Sequence, residues 1–114
     1  MNDGHGRIVS GVGQDWQADL FQQGPVLVDF WADWCGPCKV LKPVLEQVAE
    51  QLPWLRVITV NINEQPSVAS QFEIRTLPTL LLIKGGIVCG QLRAQPSAHE
   101  LVQQIEHEFE EVPA

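Results

Sequence analysis

The chain has 114 residues, 45% of them hydrophobic and 18% charged, and a formal net charge of −7. That length and balance fit a single globular domain whose core needs no disulfide staples. The acidity argues against nucleic acid, whose phosphates need Lys/Arg patches, and against anionic membrane surfaces.

No run approaches the roughly 18 apolar residues of a membrane span. Met1 to Gly6 is polar and glycine-rich, without the basic start and apolar stretch of a signal peptide. The expectation is a cytoplasmic protein, a setting that keeps thiols reduced. Its three cysteines, two in one motif and Cys89 apart, do not make a secreted disulfide framework.

Arg7-Ile8-Val9 reads as a short strand. Asp15 to Phe21 reads as a short helix, with Trp16 and Leu20 four apart. Gln22-Gln23-Gly24-Pro25 is a turn. Val26 to Trp31 is a nearly continuous apolar run, short enough for a central strand covered on both faces. A helix follows from Cys35 to about Leu52, its stripe made by Val40, Leu41, Val44, Leu45, Val48 and Ala49. Pro37 falls in its first turn, where a missing N–H costs nothing, and Pro43 in its interior, where a kink is expected.

Leu55 to Ile62 is the next strand, Pro66 to Phe72 a short helix, and Thr79 to Ile83 another buried strand. Gly85-Gly86 supplies a hairpin turn that tolerates positive φ, and Ile87 to Leu92 returns antiparallel. Ser97-Ala98-His99-Glu100 matches a capping box and opens a last helix carrying Leu101, Val102, Ile105 and Phe109 on one face. The order β-α-β-α-β-α-β-β-α predicts an α/β domain, a mixed sheet with helices on both faces. Residues 1–6 and 110–114 are expected to be frayed ends of that single domain.

The chemistry concentrates at Trp34-Cys35-Gly36-Pro37-Cys38. A strand running into a helix that opens on Cys-X-X-Cys places the first sulfur at unpaired backbone N–H groups and the positive helix end, which stabilise a thiolate. The second Cys at i+3 shares its helix face and is within reach of it. Such a pair switches between dithiol and disulfide with little backbone movement. A structural disulfide or half a zinc site competes with this reading. Zinc needs about four ligands, and Cys89, His5, His99 and His107 show no partner spacing, so no metal is expected. The histidines read as solvated, as does the Glu-rich end from Glu106 to Glu111.

Asp29 stands in the middle of Val-Leu-Val-Asp-Phe-Trp. Burial of an ionised carboxylate there is costly and raises its pKa, which suits proton transfer near neutral pH. A silent Asp at a partly solvated strand end is the competing reading.

Val28-Asp29-Phe30-Trp31-Ala32-Asp33-Trp34-Cys35-Gly36-Pro37-Cys38-Lys39, then Pro43, Thr76-Leu77-Pro78-Thr79 and the Gly85-Gly86 hairpin together resemble the thioredoxin family, over roughly Arg7 to Phe109. The Gly-Pro spacer behind Trp, with an Asp six residues before the first Cys, is the specific part. The resemblance implies a thioredoxin fold and a thiol–disulfide oxidoreductase that reduces protein disulfides. It implies recycling by a reductase, usually NADPH-linked thioredoxin reductase, a monomer, and no intrinsic cofactor. It assigns Cys35 as nucleophile, Cys38 as the less exposed resolving thiol, and Asp29 as the carboxyl that takes or gives the proton of Cys38. It makes Leu77–Pro78 a cis bond opposite the motif, with the Leu77 backbone pairing to an extended client. Trp34, Gly36, Pro37, Ile62, Leu77, Pro78 and Ala94 would form the client surface, with Trp34 showing a face and Trp31 packed inside.

Two departures modify that reading. Many thioredoxins carry a Lys beside the buried Asp on the following strand; here Thr59 takes its place, so Asp29 is expected to hold its proton more readily. Where the family has an apolar residue and Gly, this chain has Arg93-Ala94, which adds charge and bulk and predicts a narrower, acidic set of clients. Cys89, on a hairpin strand, is expected to be a small buried hydrophobe, with a regulatory thiol as the sharper alternative. A pathway-dedicated oxidoreductase and a non-catalytic binding subunit on the same fold remain the other functional readings.

Overall fold

The computed structural model describes residues 8–11, 15–21, 24–94 and 97–110. The expected strand start at Arg7, the Gln22-Gln23 part of the turn, Gln95-Pro96, the end of the Glu-rich tail and both outermost termini lie outside these, as does the side chain of Phe109. In chain order the elements are β1 (Ile8–Ser10), α1 (Asp15–Ala18, continued by a 3-10 turn, Asp19–Phe21), β2 (Pro25–Trp31), α2 (Gly36–Gln51), β3 (Arg56–Asn61), α3 (Pro66–Gln71), β4 (Thr79–Lys84), β5 (Ile87–Leu92) and α4 (Ala98–Glu110). These are the elements the apolar periodicity predicts, with ends that move by about a residue, as cap positions do.

The sheet order is β1-β3-β2-β4-β5. β1, β3 and β2 run parallel, while β4 is antiparallel to β2 and β5 to β4. β2 is therefore central and covered on both sides, which is why its sequence is apolar at consecutive positions rather than at alternate ones. Side chains on a strand still alternate between faces. Val26, Val28 and Phe30 join Ile58, Val60, Leu81 and Ile83 under α1 and α3, with Trp16, Leu20 and Val68. Leu27 joins Val57, Leu80, Leu82 and Leu92 under α2 and α4, against Leu41, Leu45, Val48, Leu101 and Ile105. By the same parity Asp29 and Trp31 face α2.

Within α2 the buried stripe is Cys38, Leu41, Leu45, Val48 and Ala49. Val40, counted in that stripe from sequence, is 69% exposed. One residue turns a helix by about 100°, so with Leu41 facing the sheet Val40 is carried to the solvent side. Pro43 sits inside the helix, which nevertheless continues to Gln51.

The Ser97 half of the capping box forms: Glu100 N–H donates to Ser97 Oγ at 3.3 Å, and the Glu100 carboxylate accepts from the Ser97 hydroxyl at 3.4 Å. Gly85 and Gly86 have φ of 61° and 82°. The Gly86 N–H donates to Leu20 O at 2.6 Å, and a Cβ at Gly86 would run into the Phe21 ring. The hairpin turn is thus seated on the end of the first helical segment.

Cys89 is exposed, not buried as its strand placement suggested. The register jumps from Leu82↔Gly90 to Ile83↔Val88, leaving Cys89 as the extra residue of a bulge on an edge strand. A bulged residue loses its ladder partner and its place in the face alternation. Its thiol lies 3.6 Å from Ile87 O, as a donor.

Candidate active site

The site is built at the end of the sheet where β2 finishes. Ala32 is fully buried behind β2, and the Cys35 N–H donates to its carbonyl at 3.1 Å. That turn delivers Cys35 to the N-cap of α2 with extended backbone, φ −93° and ψ 106°. Gly36 and Pro37 open the helix, Pro37 being harmless there because first-turn N–H groups have no intrahelical partner. The Cys38 N–H donates to Cys35 Sγ at 3.2 Å. A sulfur in the N-cap position receives hydrogen bonding and the positive helix end together, and both favour its anionic form.

Cys35 and Cys38 are joined in a disulfide, their Cα atoms 5.3 Å apart. Cys38 was expected to be the less exposed of the two, yet each is 4% exposed. The bond ties both residues into one small cluster with Ala32, and Trp31, Ile62 and Leu77 pack against it.

Asp29 lies behind this cluster. Its β2 position is opposite Thr59 on one side and Leu80 on the other. It is 4% exposed, and its Oδ1 has no hydrogen-bond partner. Burial pushes its carboxyl from 3.8 up to about 7, since an ionised group there has lost its water without gaining a compensating partner. A cavity of about 690 Å³ runs between α2 and the sheet, and Asp29, Cys38 and Thr59 all line it, with Ser10, Lys39 and Lys42. The carboxyl and the second cysteine thus border the same space, and the strand position beside Asp29 carries a hydroxyl, not a charge.

Pro78 stands at the same end of the sheet. The Leu77–Pro78 peptide is cis. Thr79 pairs with Phe30, and its hydroxyl donates to Thr76 O at 2.6 Å, which ties the loop on both sides of the proline. Leu77 is half-buried against the cysteine cluster.

Trp34 shows its face as expected, at 69% exposure. Its indole N–H donates to Asn63 Oδ1 at 3.3 Å. The Asn63 N–H in turn donates to Asn61 Oδ1 at 2.9 Å, and Asn61 Nδ2 donates to Asp33 Oδ2 at 3.4 Å. Sequence reasoning passed over Asp33, Asn61 and Asn63. The available signal was Asn61, a polar residue closing an apolar strand, in register with Trp31. Of the other client-surface candidates, Gly36 and Pro37 are exposed and Ile62 half-buried beside the cysteines. Ala94 is exposed beyond the last β4–β5 pair, outside the apolar cluster around the disulfide.

A thioredoxin family model matches residues 7–107. The chain belongs to the thioredoxin family. It is 54% identical over 63 residues to thioredoxin 1 of Nostoc sp., a stretch that covers 54% of this chain and 59% of that protein. It is 48% identical over 79 residues to the thioredoxin of Chlamydia muridarum, covering 69% of this chain and 78% of the relative. The match thus spans less than two thirds of the Nostoc protein's length. Among solved structures, a point mutant of thioredoxin from Halobacterium salinarum superimposes with a TM-score of 0.83 at 32% identity, covering 99% of this chain and 100% of that one. Oxidised mitochondrial thioredoxin 3 from Saccharomyces cerevisiae gives 0.77 at 28% identity, covering 88% of this chain and 94% of that one. The mixed sheet with helices on both faces is the thioredoxin fold.

Proposed function

We propose that this chain is a thiol–disulfide oxidoreductase of the thioredoxin type, reducing disulfides in client proteins. The observation that carries the reading is the Cys35–Cys38 disulfide across the first turn of α2, with Cys35 Sγ in the N-cap position. In the reduced protein, the Cys35 thiolate attacks one sulfur of a client disulfide. The client S–S bond breaks, a Cys35–client bond forms, and one client thiolate leaves. Cys38 then gives its proton to ionised Asp29 across their shared cavity and attacks Cys35 Sγ. The Cys35–Cys38 bond forms and the second client thiolate is released. Two electrons have passed to the client.

The role of Asp29 as proton acceptor is supported by its place beside Cys38 and by a pKa of about 7, where both protonation states are populated at neutral pH. Client docking is assigned to the exposed Trp34, Gly36 and Pro37, the half-buried Ile62, Leu77 and Pro78, and the exposed Ala94. The Leu77 backbone would pair with an extended client segment, as in strand addition. NADPH-linked thioredoxin reductase is the proposed electron donor, and a cytoplasm, where such a system keeps thiols reduced, the proposed setting.

The test is turnover of a protein disulfide with thioredoxin reductase and NADPH, followed by NADPH consumption. Rapid turnover, abolished in Cys35→Ser, is expected. Turnover with another reductant alone would assign the protein to a dedicated pathway. No turnover with any reductant would make it a binding module.

A further inference from the structure

The chain is acidic, with a formal net charge of −7, but the segments that frame the disulfide carry cations. Lys39 follows Cys38 on α2, Arg75 lies two residues before Leu77 and the cis peptide, and Arg93 follows β5 directly. All three are exposed, and among the described residues none is held in an ion pair. The carboxylate nearest in sequence to the motif, Asp33, sits on the Trp34 side and accepts from Asn61. Lys39 lines the cavity with Ser10 and Thr59, on the β1/β3 side of β2, so of the three cations Arg93 is the one that the β4–β5 ladder carries toward the cis-proline segment.

Arg93 is placed with more care than a surface residue needs. The last β4–β5 pair is Leu80↔Leu92. Continuing that antiparallel register sets Arg93 across from Thr79 and Ala94 across from Pro78. The Arg93 N–H donates to Gln104 Oε1 at 3.3 Å, and the Arg93 carbonyl accepts from Gln104 Nε2 at 3.0 Å. One side-chain amide on α4 thus supplies the donor and acceptor that a neighbouring strand would otherwise offer. With both backbone groups taken, the chain at Arg93 has no main-chain hydrogen bond left for a client. What it presents is an exposed guanidinium on an anchored stretch of backbone.

We propose that Arg93, its backbone anchored by Gln104, selects clients whose disulfide is flanked by Asp or Glu. This rests on the oxidoreductase reading above and names the class of segment that the same client surface prefers. Recognition is charge-assisted pairing of guanidinium with carboxylate, which arginine makes in a bidentate geometry. Complementary charge of this kind acts chiefly on the rate of encounter.

The experiment uses the full chain, chemically reduced beforehand so that no reductase is involved. It is mixed in a stopped-flow instrument with two disulfide peptides that are identical apart from Asp/Glu or Asn/Gln beside the cystine. Tryptophan fluorescence follows oxidation. At low salt the acidic peptide should react about tenfold faster, an advantage that shrinks as salt screens the charges. Arg93→Gln and Gln104→Leu should each bring the acidic-to-neutral rate ratio down to about twofold or less, whereas Arg93→Lys, which keeps the charge and loses the bidentate fork, should retain a ratio between that and the unmodified protein's. Equal rates for the two peptides in the unmodified protein, or a full preference retained in Arg93→Gln, would overturn the proposal and leave the oxidoreductase reading standing. Oxidation by neither peptide would overturn that reading itself.

Discussion

The two faces of β2 receive the same burial and do opposite things with it. On one, Phe30 is fully buried with ring centroids 6.4 Å from Trp16 and 5.4 Å from Phe72. On the other, one residue earlier in the chain, Asp29 is 4% exposed and borders a cavity of about 690 Å³. Removing water from aromatic rings stabilises the fold. Removing it from a carboxyl without a charged partner destabilises the ionised form and raises the pKa. The α1/α3 face therefore holds the sheet together, while the α2 face accepts a stability cost that keeps an acid–base group near neutrality beside Cys38.

Substituting on each face should give effects of opposite sign. Phe30→Ala should destabilise by about 3–5 kcal/mol, the usual range for emptying an aromatic site in a close-packed core. Urea unfolding measures it, and a loss below about 1 kcal/mol would mean this face is not the packed one. Asp29→Asn should stabilise, and only at higher pH. Below 3.8 the carboxyl is neutral both folded and unfolded, so it exacts no penalty. Between 3.8 and about 7 the unfolded chain ionises while the folded one does not, so stability falls as pH rises. Above about 7 both are ionised and the whole penalty stands. The Asn variant should therefore gain about 4 kcal/mol at most near pH 8 and lose this slope. An equal gain at pH 3 and pH 8 would show that its effect is not ionisation. Under the proposed proton transfer from Cys38 to Asp29, the same variant should resolve mixed disulfides at least about 100-fold more slowly.

Much of this division is visible in the sequence. A six-residue run such as Val26 to Trp31 flanked by turn residues reads as a doubly covered strand, and the period-2 rule already puts Asp29 and Phe30 on different faces. Asp29 stands out because a carboxylate in such a run needs a reason. The Cys pair, Pro78 and Trp34 were legible through the family motif. The missing pieces depend on register and long-range geometry. Cys89 reads as a buried strand residue until the jump between Leu82 and Ile83 makes it a bulge. Val40 belongs to an apolar stripe until α2 settles with Leu41 inward. Asn61, Asn63 and Gln104 are common polar residues whose partners lie on other elements, and local pattern cannot reveal those.

The smallest and most specific effect concerns Thr59. It stands directly opposite Asp29 in the β2/β3 register, is half-buried, and lines the same cavity. The wall across from it on α2 carries Lys39, Lys42, Glu46 and Glu50, all exposed, so that their charged ends stay hydrated. Desolvation is accordingly the cause of the raised Asp29 pKa, with no opposing cation. Thr59→Lys would bring an ammonium into the cavity, where the free volume accommodates a longer side chain. An opposite charge within about 4–6 Å typically lowers a carboxyl pKa by 1–3 units, so Asp29 should titrate near pH 5 in the variant and remain protonated at pH 5 in the unmodified protein. The carboxyl carbon chemical shift of Asp29 followed by NMR against pH reads both values. An Asp29 already ionised at pH 5 in the unmodified chain would show that some other group supplies the charge this strand position lacks, and the contrast between the two faces of β2 would then be one of packing alone.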